Sequence, residues 1–178
     1  MSLPKWTDPL LQGLSYWIGY KKQLYPHHPL SEGAIVAESQ NLIYSRLEKG
    51  QKLYCEYPYT NIINVKNENR VDLVITENDK PSVVIEVKRI EAGMSLIYRD
   101  FEKLLVLKSG NKNLKCFVLL VCQQKIPKKF VRRDGISFKG KISIKSIDVK
   151  VLRTCKSTNS FKKEAISKAN YVSLIEVL

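Results

Sequence analysis

Apolar and polar positions alternate along Ser82-Val83-Val84-Ile85-Glu86-Val87-Lys88-Arg89 with the period of two that marks a strand. Val83, Ile85 and Val87 then share one face, and Val84, Glu86 and Lys88 share the other. The β-branched content of this run, and the turn residues Glu77-Asn78-Asp79-Lys80-Pro81 before it, predict a strand inside a sheet. The preceding run, Val71-Asp72-Leu73-Val74-Ile75, is again apolar around a single acid. If the two runs are hairpin neighbours, Asp72 and Glu86 converge at one end of the sheet. Burying an ionised carboxylate is costly unless a cation meets it, and one lysine two residues on does not neutralise two acids. Converging carboxylates attract a hard dication, and Mg²⁺ is the usual one where phosphate is the substrate.

The same reading extends along the chain. A helix from about Asp8 to Leu24 is amphipathic through Leu10, Leu11, Leu14, Trp17 and Ile18, and the prolines of Tyr25-Pro26-His27-His28-Pro29 end it. Ser31 is the expected N-cap of a second helix, with Glu32 in its first turn, where the helix dipole favours an acid. Ile35, Val36, Leu42, Ile43 and Leu47 form its apolar stripe; Glu38 lies at the edge of that stripe, roughly 40° beyond Leu42, and can approach the sheet. Gly50-Gln51-Lys52 is expected to end this helix, and Leu53 to Tyr57 alternates as a strand, with Pro58 marking its end or an edge. Ile62 to Val65 and a polar turn at Asn67-Glu68-Asn69 lead into the two acid-bearing strands. A helix from about Ser95 to Lys108 follows, with Gly110 placed to stop it, and Leu114 to Cys122 is apolar on both faces, as a buried central strand is. Strand, helix and strand with that crossover imply a parallel pair. In the tail, Ile136 to Phe138 and Lys141 to Val151 read as strands with one wet, basic face, Ser160 to Ala169 as a short helix, and Tyr171 to Leu178 as a final strand or helix.

Composition adds bounds. A chain of 178 residues is expected to form one domain with a proper core. No apolar run approaches the roughly 20 residues that cross a bilayer, and Trp6, Asp8, Gln12, Lys21 and Lys22 interrupt any secretory-signal pattern, so no membrane partner is expected. Cys55, Cys116, Cys122 and Cys155 lack C-x-x-C pairing, which argues against zinc and for a reduced, cytoplasmic setting. His27-His28 reads as an exposed loop pair.

Charge is distributed unevenly. Residues 1 to 100 carry 12 basic and 12 acidic side chains, whereas residues 101 to 178 carry 18 and 5, so the whole formal excess of +13 lies in the second half. Such a field suits nucleic acid. Arg99 and Lys103, four apart on the helix after the motif, and Lys125, Lys128, Lys129, Arg132 and Arg133 are the candidates for phosphate contacts.

The ordered set of a helix with Glu38, a strand, Asp72, Glu86-Val87-Lys88, a helix and a buried strand resembles the PD-(D/E)XK nuclease superfamily over roughly residues 31 to 122. The proline usual before the first acid of that motif is Val71 here. The resemblance implies an α/β, restriction-endonuclease-like three-layer fold, with a central mixed β-sheet flanked by helices, forming a single nuclease domain with a basic C-terminal extension over about 123 to 178. It implies Mg²⁺, with Mn²⁺ as a substitute, held by Asp72, Glu86 and the Val87 carbonyl, with Glu38 on a second metal or its water shell. Lys88 would orient or help deprotonate the attacking water. The expected activity is metal-dependent endonucleolytic cleavage of DNA by a restriction-type homodimer. A Holliday junction resolvase, or a non-catalytic DNA-binding subunit that keeps the fold, are the alternatives.

Overall fold

The computed structural model describes residues 3–25, 27–28, 30–64, 68–132, 136–138, 140–157 and 169–178. Among the described residues, twelve elements run in the order α1 (Thr7–Leu24), α2 (Glu32–Tyr44), β1 (Gln51–Pro58), a 3₁₀ turn (Tyr59–Asn61), β2 (Arg70–Glu77), β3 (Lys80–Arg89), a second 3₁₀ turn (Ile90–Ala92), α3 (Met94–Gly110), β4 (Lys115–Cys122), β5 (Lys141–Ile144), β6 (Ile147–Ser157) and β7 (Asn170–Val177). The seven strands form one mixed sheet in the order β1-β2-β3-β4-β7-β6-β5. Only the β3–β4 pair is parallel, as the strand-helix-strand crossover through α3 requires.

Helices cover both faces of the sheet. On one face Leu10, Leu11, Leu14 and Ile18 of α1 and Ile35 and Ile43 of α2 pack against Leu73, Ile85, Val87 and Leu119. On the other, Ile97, Phe101, Leu104 and Leu107 of α3 pack against Val74, Val84, Val118 and Ile175. The alternation read in β3 is therefore real: Val83, Ile85 and Val87 go to the α1–α2 face, and Val84 goes to the α3 face. The two helices on the first face come close because position 13 is glycine; a Cβ there would stand 2.6 Å from a Leu42 methyl.

Several elements differ from expectation. The Ser31 hydroxyl caps α2 by accepting from the Ala34 N–H at 3.1 Å, as the sequence suggests, but α2 ends at Tyr44 rather than near Gly50. Its last turn tightens through Arg46 N–H to the Ile43 carbonyl and Leu47 N–H to the Tyr44 carbonyl, which satisfies terminal carbonyls early and frees Gln51 to start β1. Ile62 and Ile63 follow a 3₁₀ turn and pack on the α3-side core. Gly110 belongs to the last turn of α3 and does not adopt a left-handed conformation. What position 110 requires is space, since a Cβ would lie 2.6 Å from Ile63 Cγ2.

The basic second half of the chain is built into the sheet. Lys141 to Val151 is two strands, broken at Lys145-Ser146, where both residues have positive φ and turn β5 back on β6. Residues 170 to 177 form a strand, nearly all of it buried, inserted between β4 and β6. The helix expected from Ser160 to Ala169 lies, but for Ala169, outside the described residues. His27 and His28 are exposed, and all four cysteines are free thiols. No helix among the described residues is long and apolar enough to cross a membrane.

Candidate active site

The β2–β3 hairpin turns at Asn78-Asp79, both with positive φ, and its ladder runs as far as Leu73↔Ile85. One step further stand Asp72 and Glu86. On its other side, β2 registers with β1 at Cys55↔Leu73 and Tyr57↔Val71, with Glu56 between them at φ 50. Asp72 thus sits where regular pairing gives way on both sides, and such irregularities re-aim a side chain out of the pleat. Its carboxylate accepts the Val87 N–H at 2.6 Å.

Glu86 is 3 % exposed. The Tyr59 hydroxyl donates to its Oε1 at 3.2 Å, and its carboxyl is hydrogen-bonded to that of Asp72. Burial, reinforced by the charges of Asp72 and Asp100, pushes the Glu86 carboxyl up to about 9. Burial also raises Asp72, against the opposing effect of the Val87 N–H. Near neutral pH the Glu86 carboxyl therefore favours its protonated form, as one of two closely spaced buried carboxyls does.

Lys88 carries the site outward. Its Nζ donates to Glu32 Oε1 at 2.9 Å and lies 3.5 Å from Asp100 Oδ2, with the lysine side chain 16 % exposed. Burial works against its charge, but the bond to Glu32 and the fields of Asp100, Glu32 and Asp72 outweigh it and raise its pKa. Asp100 is buried on α3, where its Oδ1 meets Lys103 Nζ at 3.3 Å; its Oδ2 has no hydrogen-bond partner of normal geometry.

No family model, curated protein or solved structure matches this chain. The chemistry must therefore be argued from these side chains. Four acids (Glu32, Asp72, Glu86, Asp100) face two ammonium groups (Lys88, Lys103) at one end of β2 and β3. With every group ionised, the cluster carries two negative charges in excess, which is the charge of one dication. Asp72 and Glu86, side by side, are the kind of carboxylate pair through which octahedral Mg²⁺ is usually held. A residue in a strand directs its N–H and C=O to the same side, so the Val87 carbonyl faces the gap into which its N–H donates. Among the described residues, no group of three or more His, Cys, Asp and Glu side chains is placed to hold a metal ion. Two carboxyl groups and a backbone carbonyl suit at most an ion that keeps several waters and takes the rest of its ligands from substrate.

The structure brings Asp72, Glu86, Val87 and Lys88 together. Glu38 is not among the groups it collects: half-buried on α2, this side chain makes no hydrogen bond or ion pair with Asp72, Glu86 or Lys88. The acid of α2 that reaches them is Glu32, six residues earlier and about 9 Å up the helix axis. Glu32 reaches the cluster because Lys88 lies at the strand's end, beneath the first turn of α2. Of the basic candidates, Arg99, Lys128, Lys129 and Arg132 are exposed, Lys103 is engaged with Asp100, and Arg133 lies outside the described residues. Lys129 hydrogen-bonds the Tyr98 hydroxyl, and Lys145, at the β5–β6 turn, stands 4.5 Å from the Tyr98 ring centroid. Asp100 and Tyr59 were missed. Asp100 had a signal, since it lies three residues after Ile97 and four before Leu104, on the buried face of α3. Tyr59 had none.

Proposed function

We propose that this protein is a metal-dependent nuclease with a restriction-endonuclease-like fold, hydrolysing phosphodiester bonds in DNA. The observation that carries the reading is the placement of Asp72 and buried Glu86 one step past the last hairpin pair, Leu73↔Ile85, with Asp72 accepting the Val87 N–H and Lys88 next along the same face. Mg²⁺ or Mn²⁺ would be held by Asp72, Glu86 and the Val87 carbonyl. When bound, it supplies charge neutralisation at a non-bridging phosphate oxygen and acidifies a water.

The chain's own groups do the rest. Lys88 keeps a fixed positive charge beside the phosphate, where preorganised electrostatics lower the barrier most. Glu32 and Asp100 aim its ammonium and hold it protonated, so it acts as a donor and point charge rather than as a base near neutral pH. Tyr59, its hydroxyl pushed far above the ordinary range first by burial and then by Glu86, stays protonated and orients Glu86. The half-engaged Lys103 and the exposed lysines beyond α3 meet the flanking phosphates. A restriction-type enzyme acting as a homodimer, which places one such site on each strand, is the form this reading takes.

The test is digestion of supercoiled plasmid, linear duplex, single-stranded DNA and a synthetic four-way junction with Mg²⁺ or Mn²⁺, beside the Asp72→Asn variant. Cleavage of any of these by the parent and not by the variant is the expected result, and preference for the junction would identify a resolvase. All substrates intact at saturating metal, or equal cutting by the variant, would overturn the reading.

A further inference from the structure

Next to the acid cluster, the second 3₁₀ turn, the start of α3 and the segment after β4 enclose a pocket of about 520 Å³. This is the size range of small-ligand sites, ~300–1,000 Å³. Its interior is apolar, formed by Ile90, Met94, Ile126 and Phe130, whereas its rim carries the exposed Lys125, Lys128 and Lys129. No acid lines it among the described residues. The first turn of α3, entering through Gly93 and Met94, adds the partial positive charge of a helix N-terminus.

The pocket's position ties it to the proposed chemistry. Ile90 is two residues past Lys88, about 7 Å along an extended chain. Met94 is six residues before Asp100, about 9 Å along α3. Lys129 is fixed over Tyr98, on the turn of α3 between them. A strand with its phosphodiester at Asp72, Glu86 and Lys88 would therefore pass a neighbouring nucleotide across the pocket mouth.

An apolar interior under a cationic rim suits a flat, weakly polar body flanked by negative charge. We infer that the pocket receives one unstacked nucleobase of the bound DNA strand, with Lys125, Lys128 and Lys129 on the adjoining phosphates. A base stacked in a duplex cannot enter, so the strand must be open already or give up that base on binding. This rests on the nuclease reading for its substrate class and goes beyond it in naming a structural requirement on that substrate.

The experiment uses the full chain in EDTA and oligonucleotides with one 2-aminopurine, whose fluorescence rises several-fold on leaving a stack, placed in turn at each position of a duplex and of a single strand. The expected result is a rise at one position. A rise in the duplex means the base is drawn out, and a rise in the single strand alone means that open DNA is selected; both support the pocket. Ile126→Trp, which fills the cavity from a surface segment, should abolish the rise while the protein keeps its melting temperature. The double variant Lys125→Ala, Lys128→Ala, changed only at exposed positions, should weaken binding of the labelled strand at least fivefold. No rise at any position, or an undiminished rise in a folded Ile126→Trp protein, would overturn the inference. So would displacement of nothing but free deoxynucleoside monophosphate from the pocket. Cleavage in Mg²⁺ without any fluorescence rise would sink the pocket and leave the nuclease standing; a rise without cleavage would do the reverse.

Discussion

The Lys88 ammonium on β3 donates to the Glu32 carboxylate at the first turn of α2, 2.9 Å away and 56 residues back in the chain. This one bond couples the helix on one face of the sheet to the end of the strand bearing the acids, and through Asp100 it reaches the helix on the other face. It also decides which acid of α2 matters. Glu32→Gln should lower the rate of DNA cleavage by about 10- to 100-fold, the usual effect of removing a group that orients one touching the substrate. Glu38→Gln should leave the rate within about twofold, since this half-buried side chain makes no such contact. Single-turnover rates of the two variants on the substrate the parent cuts would check this, and a reversed order would return the role to Glu38.

On the proposed nuclease reading Lys88 would have both a structural and a chemical role, and the two can be separated. Lys88→Met takes from buried Asp100 one of its two ammonium neighbours, Lys103 remaining at 3.3 Å, and removes the donor to Glu32, a change that costs about 1–3 kcal/mol. Adding Asp100→Asn removes the under-compensated buried charge and should recover part of the lost stability. Activity should not return with it, because the fixed positive charge beside the phosphate is still missing; a loss on the order of 10²–10³-fold is expected in both proteins. Urea denaturation read alongside cleavage rates gives the comparison.

The raised pKa of Glu86, buried beside Asp72, makes stability depend on pH in an unusual direction for carboxyl groups. Glu86 has a folded pKa of about 9 against an ordinary 4.5, so the folded state binds the extra proton and the unfolded state releases it. The contribution is fully present below pH 4.5 and is lost as pH rises toward 9. In EDTA the unfolding free energy should fall across that window with a slope approaching one proton, about 1.4 kcal/mol per pH unit. Glu86→Gln, isosteric and neutral, should flatten the slope and exceed the parent in stability at pH 9. Mg²⁺ competes with the same proton, so the rise in melting temperature it produces should be larger at alkaline pH than in acid. A melting temperature independent of pH and of Mg²⁺ would contradict this account.

Position 110 offers a test of the fold alone. Gly110→Ala places a methyl 2.6 Å from Ile63 Cγ2 and 3.1 Å from its Cβ, an atom that cannot swing aside without the backbone. Ordinarily glycine to alanine in a helix is favourable. Here overpacking should dominate and destabilise by ~1–3 kcal/mol, measurable by chemical denaturation. Ile63→Ala combined with it should relieve the clash.

Much of this architecture was written locally. The alternation in β2 and β3, the Ser31 cap, the stripes of α1 and α3 and the crossover that makes β3 and β4 parallel all follow from neighbours in sequence, because side-chain periodicity reports directly which face is buried. Asp72, Glu86 and Lys88 were legible for the same reason: charged residues interrupt runs that otherwise exclude charge. The chain's last eight residues were ambiguous, since a short apolar run packs equally well as helix or strand. Their place between β4 and β6 depends on long-range pairing.

What no local pattern could supply was which distant groups meet the acids. The tertiary structure chose Glu32 over Glu38, brought Asp100 across from α3 and folded Tyr59 under Glu86, because those choices depend on where helices cross strand ends rather than on any residue's own periodicity. The sequence alone determined that two carboxyl groups would be held in an apolar sheet. The fold decided what surrounds them, and so how strongly they hold a proton.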